Sequence, residues 1–457
     1  MFAFRLPPPT CAMTAIHLVL LVTITNVFAS IDTPNYNVLR LVITDESQKD
    51  VLRKLDDLLG YRIDYLREVR SPNEPADMLL NDEDLLYVQR YLNQEGIQNE
   101  IVVRNIEREL RRERRALNEP VSGEVTLDTI LKKYLSFDDQ MAMLFQLSQR
   151  FPQTADVWHV ATSSENRNIF AIKIGYPSTL KKPILWIDAG IHAREWISHS
   201  VALYVIWQLL HDSSYKRLLR EIDVIVVPNT NPDGYEFSRE RNRMWRKTRS
   251  NSTVSRFSQL CSGVDANRNY PFHFGEEGVS HWPCQETYCG RVALSEPEVM
   301  GLAAAILERK HQIRGYIALH SFGQDILYPW GHKINEYPPD VEDLKSMANG
   351  IASAIYSVYG TQYRVSNSAD GLYPASGAAD DWAKSIGIKY SFTFELSPTT
   401  MSPGFILPEA YIPRVTREAM EGIVYMARRI RAEEVGRLLN DILTSRPIRR
   451  RAQRRIG

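Results

Sequence analysis

Ile184-Leu185-Trp186-Ile187-Asp188 decides the fold: an apolar run with Pro183 before it and Gly190 shortly after. A run of this length between two chain breakers reads as a strand buried on both faces. A helical pattern follows at once, expected over residues 196–210. Working outward, Val224-Ile225-Val226-Val227 and Tyr316-Ile317-Ala318-Leu319 are further runs of the same kind. In a fourth, Tyr390-Ser391-Phe392-Thr393-Phe394-Glu395-Leu396, Tyr390, Phe392 and Phe394 fall on one face. Ser391, Thr393 and Glu395 fall on the other, because side chains alternate along a strand. Buried strands separated by helices, from about residue 127 onward, imply an α/β domain with a mixed sheet covered by helices on both faces.

The preceding region has a different pattern. Val38, Leu39, Leu41 and Ile43 read as a strand, followed by a helix over 46–59. A second helix starts at a capping Asn81, carries Leu85, Leu86, Val88, Tyr91 and Leu92 along one side, and stops at Gly96. Residues 101–103 form another strand. The order strand, helix, strand, strand, helix, strand predicts a small α+β module with an antiparallel sheet. It ends in a charged stretch containing Arg108, Arg111, Arg112, Arg114 and Arg115, and then a polar segment with Pro120 and Gly123. A charge run of this kind is commonly a solvated helix end. Two adjacent Arg pairs between two domains also predict a processing site for a protease that prefers basic residues. The expected domains are 1–29, 30–115, 116–430 and a basic tail 431–457.

Bulk composition sets the class. The chain has 457 residues, 44% hydrophobic and 24% charged, which suits a soluble globular protein of more than one domain. Lys+Arg and Asp+Glu both number 55, so the overall field offers no reason to expect a nucleic-acid partner. At the N-terminus, Arg5 precedes a mostly apolar run over 15–28, and Val27-Phe28-Ala29 carries the small-residue pattern of a signal-peptidase site. Cleavage after Ala29 and a secreted, extracellular product are expected. The alternative is an uncleaved anchor, for which the run is short against a span of about 20 residues. No membrane partner is expected.

Of four cysteines, Cys11 leaves with the signal peptide, and Cys261, Cys284 and Cys289 remain. In an oxidising compartment these imply one disulfide and one odd thiol, with spacing alone silent about the pairing. No CxxC pair is present, so histidine and carboxylate are the expected ligands of any metal.

Ligand sites in open α/β sheets lie beyond the carboxyl ends of strands. After the first run comes Gly190-Ile191-His192-Ala193-Arg194-Glu195-Trp196. His192 and Glu195 are three apart, so one helical turn points both the same way, as zinc ligands require. An HxxE alone is common by chance. His320, directly after the third run, is the candidate third ligand, against the bland reading of a satisfied core histidine.

The motifs then fall into one order. His192-Ala193-Arg194-Glu195-Trp196, Asn231-Pro232-Asp233-Gly234-Tyr235, Asn242-Arg243-Met244-Trp245-Arg246-Lys247, Asp265-Ala266-Asn267-Arg268-Asn269, His320-Ser321 and Phe392-Thr393-Phe394-Glu395-Leu396 succeed one another. In this the chain resembles the zinc carboxypeptidase family of the pancreatic A and B type, over about 127–429. The α+β module resembles that family's inhibitory prodomain. The resemblance implies a zymogen of a metallocarboxypeptidase that releases single C-terminal residues from peptides. It implies one zinc ion held by His192, Glu195 and His320, the His2Glu pattern already known for carboxypeptidase A. It gives Glu395 the role of proton acceptor from water and Arg246 that of stabilising the oxyanion. Asn267 and Arg268 would grip the substrate carboxylate, Tyr373 would close over the bound residue, and Arg194 and Arg243 would serve outer positions. It implies a Cys261–Cys284 disulfide, with Cys289 left free or paired elsewhere. Activation by a trypsin-like or furin-like protease is expected within residues 111–115.

Asp380 falls at the position that distinguishes the subtypes, apolar in the A type and aspartate in the B type. A carboxylate at the pocket floor predicts a preference for C-terminal Lys or Arg, the alternative being that Asp380 caps a helix. Two departures stand out: Phe322 where the family usually has tyrosine, and Gly331 where the B type often has serine. The alternatives to a B-type enzyme are A-type or broad specificity, or a catalytically silent zinc-binding homologue. Asn251-Ser252-Thr253 is a glycosylation sequon. The Arg-rich tail reads as a solvated terminus, with a further processing site or a polyanion-binding segment as alternatives.

Overall fold

The computed structural model describes residues 35–106, 110, 113, 123–251, 261–400 and 404–445. The expected signal peptide, most of the basic stretch before residue 122, Ser252 and Thr253 of the sequon, and the tail from Arg446 lie outside these residues.

The N-terminal module builds a four-stranded antiparallel sheet from β1 (Tyr36–Val42), β2 (Asp64–Arg67), β3 (Pro75–Asn81) and β4 (Gln98–Val103), in the order β2-β3-β1-β4. Two helices, Gln48–Leu59 and Asp82–Gln94, cover it with a core that includes Leu39, Leu41, Leu55, Met78, Val88 and Leu92. The cap at Asn81 forms as the sequence predicts: its side chain accepts from the Asp84 amide at 2.8 Å. One assignment differs. Leu86 does not join the buried stripe but is exposed, because the face that meets the sheet repeats as Leu85, Val88 and Leu92.

The larger part centres on an eight-stranded sheet. Its strands are β5 (Ala155–Thr162), β6 (Asn168–Ile174), β7 (Ile184–Ala189), β8 (Asp223–Val227), β9 (Ile313–Ser321), β10 (Asp325–Tyr328), β11 (Arg364–Asn367) and β12 (Tyr390–Leu396). Their order is β11-β10-β12-β9-β7-β8-β6-β5. The four runs quoted above are the central, mutually parallel strands β12, β9, β7 and β8; β10 and β6 join them antiparallel on either side, β11 runs parallel to β10 and β5 antiparallel to β6.

Each face of the sheet carries its own core. Leu185, Ile187, Val224, Leu319, Phe392 and Phe394 pack under the helices Trp196–His211, Val341–Tyr359 and Ile412–Ser445. Trp186, Ile225, Tyr316 and Ala318 pack on the other side, against Pro297–Arg309 and Ala379–Ser385. The alternation read from β12 is therefore real. In the β9/β12 ladder Glu395 pairs in register with His320, one on each neighbouring strand end.

The last helix, Ile412–Ser445, runs without a break through residue 430, so the expected start of a separate tail falls inside a helix. Cys261 and Cys284 form a disulfide, and Cys289 is free and buried. Among the described residues, no helix is long and apolar enough to cross a membrane.

Phe392 is fully buried under three helices. Phe392→Ala is expected to cost about 3–5 kcal/mol of unfolding free energy, read from denaturant midpoints of the intact precursor. A cost under about 1 kcal/mol would contradict this packing.

Candidate active site and metal centre

The chain reaches the carboxyl end of β7, turns through Gly190 at φ +73°, and starts the helix at Trp196. Gly190 is required here because a Cβ would meet the His199 ring at 1.8 Å. This tight turn sets His192 and Glu195 over the sheet edge, where β9 delivers His320. His192 Nδ1 lies 2.7 Å from Glu195 Oε1, and His320 Nδ1 lies 3.0 Å from Glu195 Oε2. The two imidazole Nδ1 atoms are 3.2 Å apart. The three ligand atoms lie within 4.8 Å of one another, and all three residues are buried.

These residues fit a zinc ion. Two ring nitrogens and a carboxylate facing one point in a buried site repel one another unless a cation or proton sits between them. Ligands about 2.0–2.1 Å from a tetrahedral metal are separated by roughly the distances found here.

Asp265, quoted within a motif but given no role from sequence, is the residue that sequence reasoning missed. It is fully buried. Its Oδ1 lies 3.1 Å from His192 Nε2 and accepts the Asn267 amide at 3.0 Å. Its Oδ2 accepts from Arg246 Nε at 3.1 Å and Nη2 at 2.9 Å, with Arg268 Nη1 at 3.9 Å. Burial alone would favour its neutral form, but Arg246, His192 and Arg268 together hold its pKa well below the usual carboxylate range. The contact with Nε2 fixes the His192 ring so that Nδ1 faces Glu195 and His320.

A single cavity gathers His192, Glu195 and His320 with Arg194, Arg246, Asn267, Arg268, Tyr373, Asp380 and Glu395. Glu395 is held above the usual carboxylate range, first by burial. Asn267 Oδ1 accepts the Ala379 amide at 2.9 Å, and Arg268 Nε donates to Gly278 O at 2.9 Å. At one end the wall is Gly331, Ser368, Asp380 and Thr393. A Cβ on Gly331 would come within 3.0 Å of Ser368 Cβ, so Ser368 occupies the room a side chain there would need.

Arg243 is not part of this lining. It stacks 3.7 Å over Trp196, donates to Arg194 O at 2.8 Å and pairs with Glu113 at 2.6 Å. Phe322 packs edge-on against Phe405, ring centroids 4.8 Å apart, in place of offering a hydroxyl.

The N-terminal module covers the cavity. Tyr65, Leu66, Arg67, Glu68 and Arg70 line it, and Asp64 pairs with Arg194. An apolar seam of Val38, Leu66, Leu79, Ile106 and Leu110 with Met244 and Phe405 holds the two parts together.

Residues 141–422 match the zinc carboxypeptidase family, and residues 39–113 match the carboxypeptidase activation peptide. The chain belongs to the zinc carboxypeptidase family. It is 33% identical over 406 residues to carboxypeptidase A1 of Homo sapiens, covering 88% of this chain and 95% of that one. It is 38% identical over 296 residues to carboxypeptidase B of Astacus astacus, covering 64% and 96%. Among solved structures it is similar to carboxypeptidase A from Helicoverpa armigera, with TM-score 0.81 and 29% identity, covering 87% of this chain and 98% of that one. It is also similar to thrombin-activatable fibrinolysis inhibitor, with TM-score 0.78 and 29% identity, covering 87% and 99%. This zinc carboxypeptidase is thus a metal-dependent exopeptidase with one catalytic zinc and an activation peptide, and the covered cavity is that of a zymogen.

Asp265→Asn keeps the volume and removes the charge that orients His192. Zinc affinity of the purified protein is expected to fall about 10- to 100-fold, measured by competition with a chelator. Unchanged affinity would separate Asp265 from the metal site.

Proposed function

We infer that this zinc carboxypeptidase prefers peptides ending in Lys or Arg and is released from its activation peptide by a trypsin-like or furin-like cut within residues 111–115. Secretion completes the reading, supported by the apolar N-terminal run before Ala29 and by the Cys261–Cys284 disulfide.

His192, Glu195 and His320 would hold the zinc. When bound, zinc supplies Lewis-acid polarisation of the scissile carbonyl and of the attacking water. Glu395 would take the proton of that water and later pass it to the leaving amine, from its place on the cavity wall opposite His320 in the β9/β12 ladder. Arg246 faces the charge that develops on the carbonyl oxygen. Its guanidinium is already fixed by two hydrogen bonds to Asp265 and does not need to reorganise during reaction. Asn267 and Arg268 pair with the terminal carboxylate, so only a chain end fits. Tyr373, half-buried on the cavity wall, closes over the bound residue.

The observation that carries the specificity is Asp380 on the cavity wall, beside the small residues Gly331 and Ser368. A buried carboxylate there stabilises a guanidinium or ammonium and penalises an apolar group. In the precursor, Asp64 and Glu113 occupy Arg194 and Arg243, and residues 65–68 line the cavity from the module's side. In the sequence, Arg111, Arg112, Arg114 and Arg115 flank Glu113.

Treatment of the precursor with trypsin is expected to release activity toward an Arg-ending peptide, at least about 100-fold greater than toward its Phe-ending counterpart. Chelation abolishes it, and Glu395→Gln lowers kcat about 10^2- to 10^4-fold with zinc retained. A preference for Phe would reverse the specificity reading, and full activity of the Gln variant would remove Glu395 from the chemistry.

A further inference from the structure

The wall that carries Asp380 holds a second carboxylate behind it. Asp381 follows Asp380 on the helix Ala379–Ser385 and is fully buried. It accepts the Gly331 amide at 2.8 Å and the His332 amide at 2.9 Å. Two adjacent buried carboxylates disfavour each other's ionisation. Accordingly the pKa of Asp380 is pushed up to about 6, first by burial and then by Asp381. Asp188 and His320 also act on Asp380 through space, with opposite signs.

The group that offsets Asp381 is His332. Its Nδ1 lies 3.4 Å from Asp381 Oδ2, and its Nε2 lies 2.7 Å from Glu336 Oε2. The buried ring lies flat against His273, centroids 3.8 Å apart and planes 4° from parallel, with Phe272 edge-on at 5.3 Å. His273 is itself paired with Glu276 at 2.7 Å. Burial opposes protonation of His332, but Asp381 and Glu336 outweigh it and hold its pKa above the ordinary value. His332 belongs to none of the motifs that identify the family, and it touches neither the cavity nor the metal ligands.

We propose that His332 is a positioning residue for specificity: as an imidazolium clamped between Asp381 and Glu336, it offsets Asp381 and leaves Asp380 to carry the negative charge that meets a basic C-terminal side chain. This rests on the reading of Asp380 as the partner of Lys or Arg. The sign follows from linkage. The pKa of Asp380 is raised, so affinity for a cation is present above about pH 6 and is lost as pH falls through it. Asp381 and Glu336 on either side of His332 favour its charged form. Removing its charge moves the acid limb up, and removing the charge of Asp381 moves it down.

The test uses activated wild type, His332→Gln, Asp381→Asn and the double variant, with matched peptides ending in Arg and in Phe, from about pH 5 to about pH 8. The readout is the ratio of the two kcat/KM values, which cancels damage common to both substrates. In His332→Gln the midpoint of the ratio is expected to rise by about half to one pH unit, a three- to tenfold lower ratio near pH 6. In Asp381→Asn it is expected to fall, and the double variant follows Asp381→Asn. Midpoints that stay put in the folded single variants overturn the proposal. If His332→Gln does not fold, Asp381→Asn alone decides, with an unmoved midpoint again overturning it. If wild type shows no Arg preference at any pH, the reading of Asp380 falls, and this inference falls with it. That result is distinct from a preserved preference with unmoved midpoints.

Discussion

Asp265 is one buried carboxylate with four demands on it: His192 Nε2 and the Asn267 amide on one oxygen, Arg246 on the other, and Arg268 nearby. Removing a charge from water is costly unless several partners replace the solvent. Here the replacement partners are the very groups a carboxypeptidase must align. The orientation of a proposed metal ligand, the fixed guanidinium proposed for the oxyanion, and the chain that carries the proposed carboxylate clamp all share one anchor. Because that anchor accepts from every side, none of the groups can shift without leaving buried charge unpaired. The rigidity of the site follows from this arithmetic of donors and acceptors.

The activation peptide exploits the same economy of charge. Arg194 on the cavity wall, and Arg243 which donates to its carbonyl from behind, are buried in the precursor with Asp64 and Glu113 beside them. An apolar seam around Leu66, Met244 and Phe405 supplies the area for docking, and the ion pairs supply its register. Phe322 contributes an aromatic face to Phe405 in this seam, so the substitution that removes a hydroxyl from the outer pocket also adds apolar contact under the cover.

Much of this was legible in the sequence, for definite reasons. The four central strands are buried on both faces, so they must be apolar runs, and apolar runs between Pro and Gly are visible in one dimension. Asn81 was legible because a cap is a local hydrogen bond. Leu86 was not, because which side of a helix meets the sheet is decided by packing partners far along the chain. The flanking strands β5, β6 and β11 escaped notice since partial exposure mixes polar residues into them, and β10 because it is buried but only four residues long. His192, Glu195, His320 and Glu395 could be gathered in advance because each ends or follows a central strand. Asp265 could not be ranked, since its importance lies in who surrounds it. Arg243 was placed by its motif among outer binding residues; its guanidinium stacks on Trp196 behind the cavity wall, a matter of side-chain direction that spacing does not encode.

The pairing of Glu395 with His320 across the β9/β12 ladder has a consequence for errors in folding. Successive residues of a strand point to opposite sides, so a slip of a single step would set Phe394 beside His320 and send Glu395 into the oily layer beneath the helices. With the roles proposed for Glu395 and His320, a misassembled chain would thus be inert from the moment it formed. For an enzyme that trims the ends of other chains, having no half-active imposters is a form of safety written into the pleat itself.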